Sequence, residues 1–347
     1  VAIGRRRMAV MAEGCFSPLG AKTAVCLVRY VPEEIVAVID SSQAPATVQQ
    51  LLGFGGPIPV VASIEEALAH SPDILLLGTA PKGGQPPPGS REAVVEGIKS
   101  GLHIVSGMHL FLGDDPELAW LARDNGVVIW DVRRAPKNLR VSSGEQCPYC
   151  PVLLTVGSDC NTGKMTAAME LTRGLTAAGL RVGFAASGQT GMMITGRGIP
   201  VDAVVADFIS GATEQLVLET APGMDLVLLE GQGSLLHPGY AGVTVGMISG
   251  SLPNGMILCH QPTRKVIRNY DVPIPSAARL VELHRSAIAG IADVPVIGIA
   301  LNTFDMEEEA AKRAIRSAGE ETGLATADPV RFGTDDLVEA VRLALGL

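Results

Sequence analysis

Val152-Leu-Leu-Thr-Val-Gly157-Ser-Asp-Cys-Asn-Thr-Gly163-Lys164-Met165-Thr166 decides the fold. Val152 to Val156 form an apolar, partly β-branched run of strand length. A glycine-bounded turn follows. From Lys164 onward, Ala168, Leu171, Leu175 and Ala178 recur on one helical face, and Gly179 stops the helix. A strand, a glycine-rich turn and a helix headed by lysine make a phosphate-cradling P-loop. Glycines let backbone N–H groups converge, the helix amino end adds partial positive charge, and the lysine adds a full one. Gly157, Ser158, Asp159, Cys160, Asn161, Thr162, Gly163 and Lys164 are therefore the expected cradle, continued by Met165 and Thr166. One position departs from the usual form. The residue after the lysine normally carries a hydroxyl for Mg²⁺. Here it is Met165, and Thr166 is turned by about 100° around the helix. The loop is expected to hold a phosphate or diphosphate through Lys164 and backbone N–H groups, outside a standard Mg–ATP arrangement.

The surrounding chain has 347 residues, a length for two domains. Hydrophobic residues at 47% and charged residues at 18% supply proper cores and exclude disorder. The net charge of −9 argues against a nucleic-acid partner, because phosphate backbones need a basic surface. Apolar runs such as Leu226–Leu229 and Val294–Leu301 are strand-length, so no membrane span is expected. The basic cluster Arg5-Arg6-Arg7 precedes an apolar stretch too short for a signal-peptide core. Six dispersed cysteines fit a reduced, cytoplasmic setting. A homo-oligomer is expected.

Working outward, strand and helix patterns alternate on both sides of the loop. Before it, strands are expected at Met8–Ala12, Glu34–Asp40, Asp73–Gly78, His103–Ser106 and Val127–Trp130. Helices are expected at Lys22–Tyr30, Ser63–His70, Glu92–Ser100 and Asp115–Asn125, with Pro81–Ser90 a loop. Ser63 and Glu66 have the spacing of a capping box. The polar, Pro- and Gly-bearing stretch Arg133–Cys150 breaks the rhythm. It suggests a Rossmann-like domain over 1–145 and a P-loop domain over 146–347. After the loop, strands are expected at Val182–Ser187, Asp225–Glu230, Met256–His260 and Val296–Leu301, with a last helix at Asp335–Leu345. The fold class is α/β, with two mostly parallel, doubly wound domains.

Ligands of such sheets sit beyond the carboxyl ends of the strands. Asp225–Glu230 delivers Glu230 there, followed by Gly231, Gln232, Gly233 and Ser234. Glu230 can hold a metal, take a proton or cap the next helix. Ser187-Gly-Gln189-Thr190-Gly191 ends another strand, and Arg197 lies between Gly196 and Gly198. Gln189 and Thr190 offer hydrogen bonds, Gly191 allows close approach, and Arg197 can grip a carboxylate bidentately. The bland reading of that stretch is a surface loop. Asp202, Asp207 and Glu214 are solvated acids or substrate contacts. His237 and His260 are proton carriers or structural histidines. Arg264, Lys265 and Arg268 suit an acidic substrate or a solvated face. Cys147-Pro-Tyr-Cys150 is a lone pair without the second pair a zinc site needs, so no metal site is expected. The turn Gly14–Thr23 lacks a GxGxxG fingerprint, which leaves a nicotinamide site poorly supported.

GSDCNTGK, Gln189-Thr190-Gly191 and Glu230-Gly231-Gln232-Gly233 are similar to three motifs of the dethiobiotin-synthetase-like branch of P-loop proteins. Met165 and the missing lysine before Gln189 depart from that branch's ATP chemistry. AEGCFSPLGAKTAVCLVRY, EIVAVIDS, GSDCNTGKMT, ADFISGATEQLV and EGQGSLLHPGY carry a closer, essentially full-length resemblance. They resemble a two-domain bacterial family, formerly of unknown function, typified by D-glutamate N-acetyltransferase. The resemblance implies acetyl transfer from acetyl-CoA to the amine of D-glutamate or a similar acidic amino acid. It implies that the loop and Lys164 hold the CoA diphosphate, which needs no Mg²⁺. Glu230 or His237 would take a proton, and Ser234 or a glycine N–H would stabilise the oxyanion. Gln189, Thr190, Gly191, Arg197, Asp207, Gln232, Gly233 and Arg264 would face the substrate. Two other classes stay open: a ligase or kinase using ATP with Mg on a small carboxylic acid, and a non-catalytic nucleotide-binding switch.

Overall fold

The structure, a computed structural model, describes residues 6–18, 20–79 and 89–347. Arg5 and residues 81–88 of the expected loop lie outside the described residues. Two compact units are present: Val1–Arg134 with Met192–Arg197, and Ala135–Gly191 with Gly198–Leu347.

The first unit runs β1 (Met8–Met11), α1 (Lys22–Tyr30), β2 (Ile35–Ile39), β3 (Ala46–Thr47), α2 (Val48–Leu52), β4 (Pro59–Val61), α3 (Ile64–Leu68), β5 (Ile74–Leu77), α4 (Ser90–Lys99), β6 (His103–Ser106), α5 (Pro116–Asp124) and β7 (Ile129–Asp131). Its sheet has the order β3-β4-β2-β1-β5-β6-β7. All neighbours are parallel except β3 against β4. Ala9 sits between Ala37 and Leu75, in a core that also holds Val94, Ile98 and Ile104. Ser63 caps α3 through the Glu66 N–H. The Glu66 carboxylate reaches back to Ala62 rather than to Ser63, so the expected box is displaced by one residue. The complete box lies at Thr47–Gln50.

The second unit runs β8 (Val152–Gly157), α6 (Lys164–Ala177), β9 (Val182–Ala185), the start of α7 (Gln189–Thr195, which passes into the first unit at Met192), α8 (Ile209–Thr220), β10 (Leu226–Leu229), α9 (Ala241–Ser251), β11 (Gly255–His260), α10 (Ala277–Ser286), β12 (Val296–Leu301), α11 (Glu308–Thr322), β13 (Ala325–Ala327) and α12 (Asp335–Leu345). Its six strands are all parallel, in the order β13-β12-β11-β8-β10-β9. Right-handed crossovers put α6 and α12 together on one face and α8 to α11 on the other. Every residue of β8 is buried, as the continuous apolar run predicts for a central parallel strand. The chain leaves β8 for the β9 edge, returns to β10, and crosses to β11 on the other side. β8 therefore ends at the point where the strand order reverses.

Two departures have local causes. The polar strap from Ala135 to Pro151 belongs to the second unit. Both carboxylate oxygens of Glu214 on α8 accept from the Ser143 N–H at 3.0 Å. Composition alone places the boundary near 145, inside this strap, whereas the compact units divide between Arg134 and Ala135. The stretch after Gly188, readable as a surface loop, is the helix α7. Glu230 at the end of β10 organises its start, accepting from the N–H groups of Ser187 and Gly188 at 3.2 and 3.1 Å. No helix among the described residues is long and apolar enough to cross a membrane.

Candidate functional site

The loop after β8 turns twice in the left-handed region, at Asn161 (φ 55°) and Gly163 (φ 101°). Asparagine and glycine tolerate that conformation best. These turns deliver Lys164 as the first residue of α6. Its Nζ folds back over the loop and donates to the Asp159 carbonyl at 2.9 Å, and the Thr162 hydroxyl donates to the same oxygen at 3.1 Å. Met165 is buried at 7% exposure, and Thr166 is half-buried.

The register of β8 against β11 pairs Gly157 with Cys259. The next residues, Ser158 and His260, are then neighbours, and Ser158 Oγ lies 2.9 Å from His260 Nδ1. Burial, helped by the cations of Lys265 and Arg264, pushes the His260 pKa down to about 4. The ring is therefore neutral near pH 7. Sequence reading cannot find this pair, because the adjacency of β8 and β11 is a tertiary fact.

Asp159 is fully buried beneath the loop. Its carboxylate accepts from Arg264 Nη1 at 2.9 Å, from the Arg268 N–H at 2.8 Å and from the Cys160 N–H at 2.6 Å. Arg264 also donates to the Cys160 carbonyl at 2.6 Å and to Gln261 Oε1 at 2.7 Å. Gln261 is held in turn by Asp305 at 3.0 Å. Arg264, expected at a substrate carboxylate, instead braces the loop. An unpaired buried Asp159 would be costly; one guanidinium bond and two backbone N–H bonds answer its carboxylate, and the rest of the Arg264 fork ties down the Cys160 carbonyl and Gln261.

Glu230 is 3% exposed, and its carboxylate is directed at the Ser187–Gly188 backbone. It therefore holds the start of the preceding helix α7 rather than capping the helix that follows it in the chain. Gly231 N–H donates to Thr155 Oγ1 inside β8 at 3.0 Å, drawing the two strand ends together. Gln232 Nε2 donates to Ser187 Oγ at 3.2 Å, and its carbonyl accepts from Thr244 at 2.8 Å. Gly233 turns the chain at φ 70°. Ser234 is fully buried, and its Oγ accepts from the Leu236 N–H at 3.3 Å. His237 is 5% exposed, with its ring 4.6 Å from Tyr240 and 5.0 Å from Tyr270, centre to centre. Its Nδ1 accepts from the Gly239 N–H at 3.1 Å. That bond uses Nδ1 as an acceptor and leaves Nε2 as the ring's donor.

Asp159, Cys160 and His237 each bring one potential ligand atom within 4.8 Å of the others. Asp159 and Cys160 are adjacent in the sequence, and only the turn after β10 brings His237 to them. Gln189 heads α7, and its Oε1 is buried without a hydrogen-bond partner among the described residues. Buried acceptors are rarely left unmet, so this oxygen suits a ligand donor. Thr190 and Gly191 are buried beside it. Two expected substrate contacts are not gathered here. Arg197 is exposed, in the segment Met192–Arg197 that groups with the first unit. Asp207 is exposed in a short 3₁₀ turn.

With this geometry in view, two family profiles match the chain. One is described as a domain of unknown function, a DUF1611 Rossmann-like N-terminal domain, over residues 41–135. The other is the DUF1611 P-loop C-terminal domain, over residues 140–338. The chain is 39% identical to a DUF1611 family protein of known crystal structure from Anabaena variabilis. That match covers 97% of this chain and 99% of the other, with a TM-score of 0.92. The chain belongs to the DUF1611 family.

Two relatives of this DUF1611 chain carry a functional name. A protein named D-glutamate N-acetyltransferase from Tritonibacter scottomollicae is 35% identical over 93% of this chain and 94% of its own length. A protein of the same name from a Pseudoalteromonas species is 34% identical over 80% of this chain and 83% of its own length. The DUF1611 profiles fix the Rossmann-like and P-loop pairing expected from sequence. Cys147 and Cys150 are free thiols, and burial with the neighbouring Cys147 pushes Cys150 up to about 11, far from a reactive thiolate.

Proposed function

We propose that this chain transfers the acetyl group of acetyl-CoA to the amine of D-glutamate or a closely similar acidic amino acid. The observation that carries this reading is the near full-length similarity, 35% over 93% of the chain, to a protein named for that reaction. The loop geometry supports it. A diphosphate needs a concave run of N–H groups and a cation. A Cβ added at Gly157 would stand 3.1 Å from Lys164 Nζ, so the glycine keeps a space beside the cation that a side chain would fill. Met165 removes the hydroxyl that Mg–ATP chemistry uses, and a CoA diphosphate does not require it.

Bound acetyl-CoA supplies the acetyl group as a thioester, whose C–S bond is exchanged for a C–N bond. Lys164 and the N–H groups of the loop hold the diphosphate. His237, fixed as an Nε2–H donor beside Cys160, is assigned to the thioester carbonyl, where a donor stabilises developing negative charge. His260, neutral at working pH and hydrogen-bonded to Ser158 of the loop, takes the proton that the attacking amine releases. The acceptor attacks as the neutral amine, its ammonium having given one proton to solvent; as the C–N bond forms the nitrogen turns acidic and passes one of its two protons to His260, while CoA leaves as the thiolate. A weak, desolvated base therefore suffices.

The test is thiol release from acetyl-CoA with D- and L-amino acids as acceptors. D-glutamate-dependent release is expected. No release with any acidic amino acid, under conditions where the protein is folded, would overturn the proposal.

A further inference from the structure

A cavity of about 370 Å³ opens in the second unit between the end of β11, the start of α10 and the flank of α11. Its lining is bipolar. Lys265 supplies a cation and Glu321 a carboxylate, while Leu301 and Ala314 give it an apolar floor. His260 also lines it, and through Ser158 that residue is one hydrogen bond from the phosphate loop. Lys265 spends one bond on the Pro262 carbonyl at 2.9 Å, leaving further N–H donors on the same ammonium. Glu321 spends one oxygen on the Ala278 N–H at 2.9 Å. The charges of Lys265 and Glu321 both act on His260, so all three groups share one locale.

We infer that this cavity is the binding site for the acceptor amino acid. The inference rests on the acetyltransferase reading and adds the acceptor's place to it. An acidic amino acid finds partners in this lining for one carboxylate, its ammonium and its aliphatic stem. Carboxylate meets Lys265, ammonium meets Glu321, and methylenes meet Leu301 and Ala314. The volume falls in the range of small-molecule sites, roughly 300–1,000 Å³. The amine then lies on the His260 side of the cavity, where the neutral ring, unlike the loop-bracing cation of Arg264, can take a proton beside the phosphate loop. Arg264 also faces the cavity, but Asp159 already answers its charge. The specificity-bearing cation is therefore Lys265.

Two variants of the full-length protein test this, with KM measured separately for D-glutamate and acetyl-CoA. Lys265→Glu reverses the carboxylate contact. Ser317→Trp, at an exposed lining position on α11, fills the cavity without touching a core. Both are expected to raise the D-glutamate KM by roughly tenfold or more, the effect of losing one charge-assisted contact. The acetyl-CoA KM should change by less than about twofold. Lys265→Glu should also move the acid limb of the pH–rate profile upward, because it removes a cation that holds His260 low. Unchanged D-glutamate KM in both variants, with wild-type turnover intact, would overturn the cavity assignment alone. A rise confined to the acetyl-CoA KM would overturn it too, by giving the cavity to the donor. Absence of wild-type turnover would instead remove the acetyltransferase reading beneath it.

Discussion

The two units repeat one architecture, a parallel sheet whose first strand runs into a turn and a helix, yet the two turns are finished differently. In the first unit the turn after β1 is closed by the unit's own acid. Asp40, at the end of β2, accepts from the N–H groups of Gly14 and Phe16 at 3.1 and 2.8 Å and from Ser42 Oγ at 2.6 Å. Burial pushes its pKa up, but the bonds from Ser42, Phe16 and Gly14 outweigh that and hold it below the usual value. In the second unit the loop acid Asp159 is turned inward and answered by Arg264, while Lys164 lies over the loop mouth. A turn whose N–H groups already hold a carboxylate has little to offer an anion. A loop whose acid is matched elsewhere keeps its lysine and helix amino end for a phosphate. The chemistry is therefore expected in the second unit.

Four substitutions and one titration would break or sharpen this contrast. Lys164→Ala should cost on the order of 10³-fold in kcat/KM for acetyl transfer, about 4 kcal/mol, with the fold intact by circular dichroism. Asp40→Asn should leave the same kinetics unchanged. Arg264→Met should destabilise by about 3–5 kcal/mol in urea unfolding, because it strands a buried carboxylate. A loss under 1 kcal/mol would mean that the Arg264 bonds do little to hold the loop. Asp40→Ala should cost roughly 1–3 kcal/mol by orphaning two turn N–H groups, with ligand stabilisation retained. The smallest effect is in pH. His260 and His284 are both held near 4, mainly by burial. Folded values below the unfolded value near 6.5 mean that the unfolded chain binds more protons between those limits. Stability from these groups is full above about pH 6.5 and is lost as pH falls toward 4. The melting temperature should drop across that window, and less steeply in His260→Gln.

Much of the second unit was readable from residue order. The β8 run, the Gly163–Lys164 junction and the apolar face of α6 carry their own periodicity, and the last helix, Asp335–Leu345, appears with the expected bounds. The short strands β3, β4 and β13 were not readable, since two or three residues carry no period. α9 escaped because AGVTVGMISGS is apolar and small all round, with no polar stripe to mark a helical face. At the site, the cradle was legible because its chemistry is contiguous. The bracing of Asp159 by Arg264, the Ser158–His260 pair and the approach of His237 to Cys160 were not. Each joins residues from different strand ends, and only the strand order makes them neighbours. Glu230 shows the limit from the other side. A strand-end acid reads as metal ligand, base or cap of the next helix, and nothing in the order of residues shows that its carboxylate accepts from the N–H groups of Ser187 and Gly188 before it.

The most direct test of the loop's role is the thermal stability of wild-type and Lys164→Ala protein, each with acetyl-CoA, CoA or Mg–ATP. A ligand that binds only the folded state raises the melting temperature by mass action, by about 2.7 kcal/mol at a hundred times its Kd. Acetyl-CoA and CoA should both stabilise the wild type and neither should stabilise Lys164→Ala. Stabilisation of the wild type by Mg–ATP without any by acetyl-CoA would contradict the account, as would full acetyl-CoA stabilisation of Lys164→Ala.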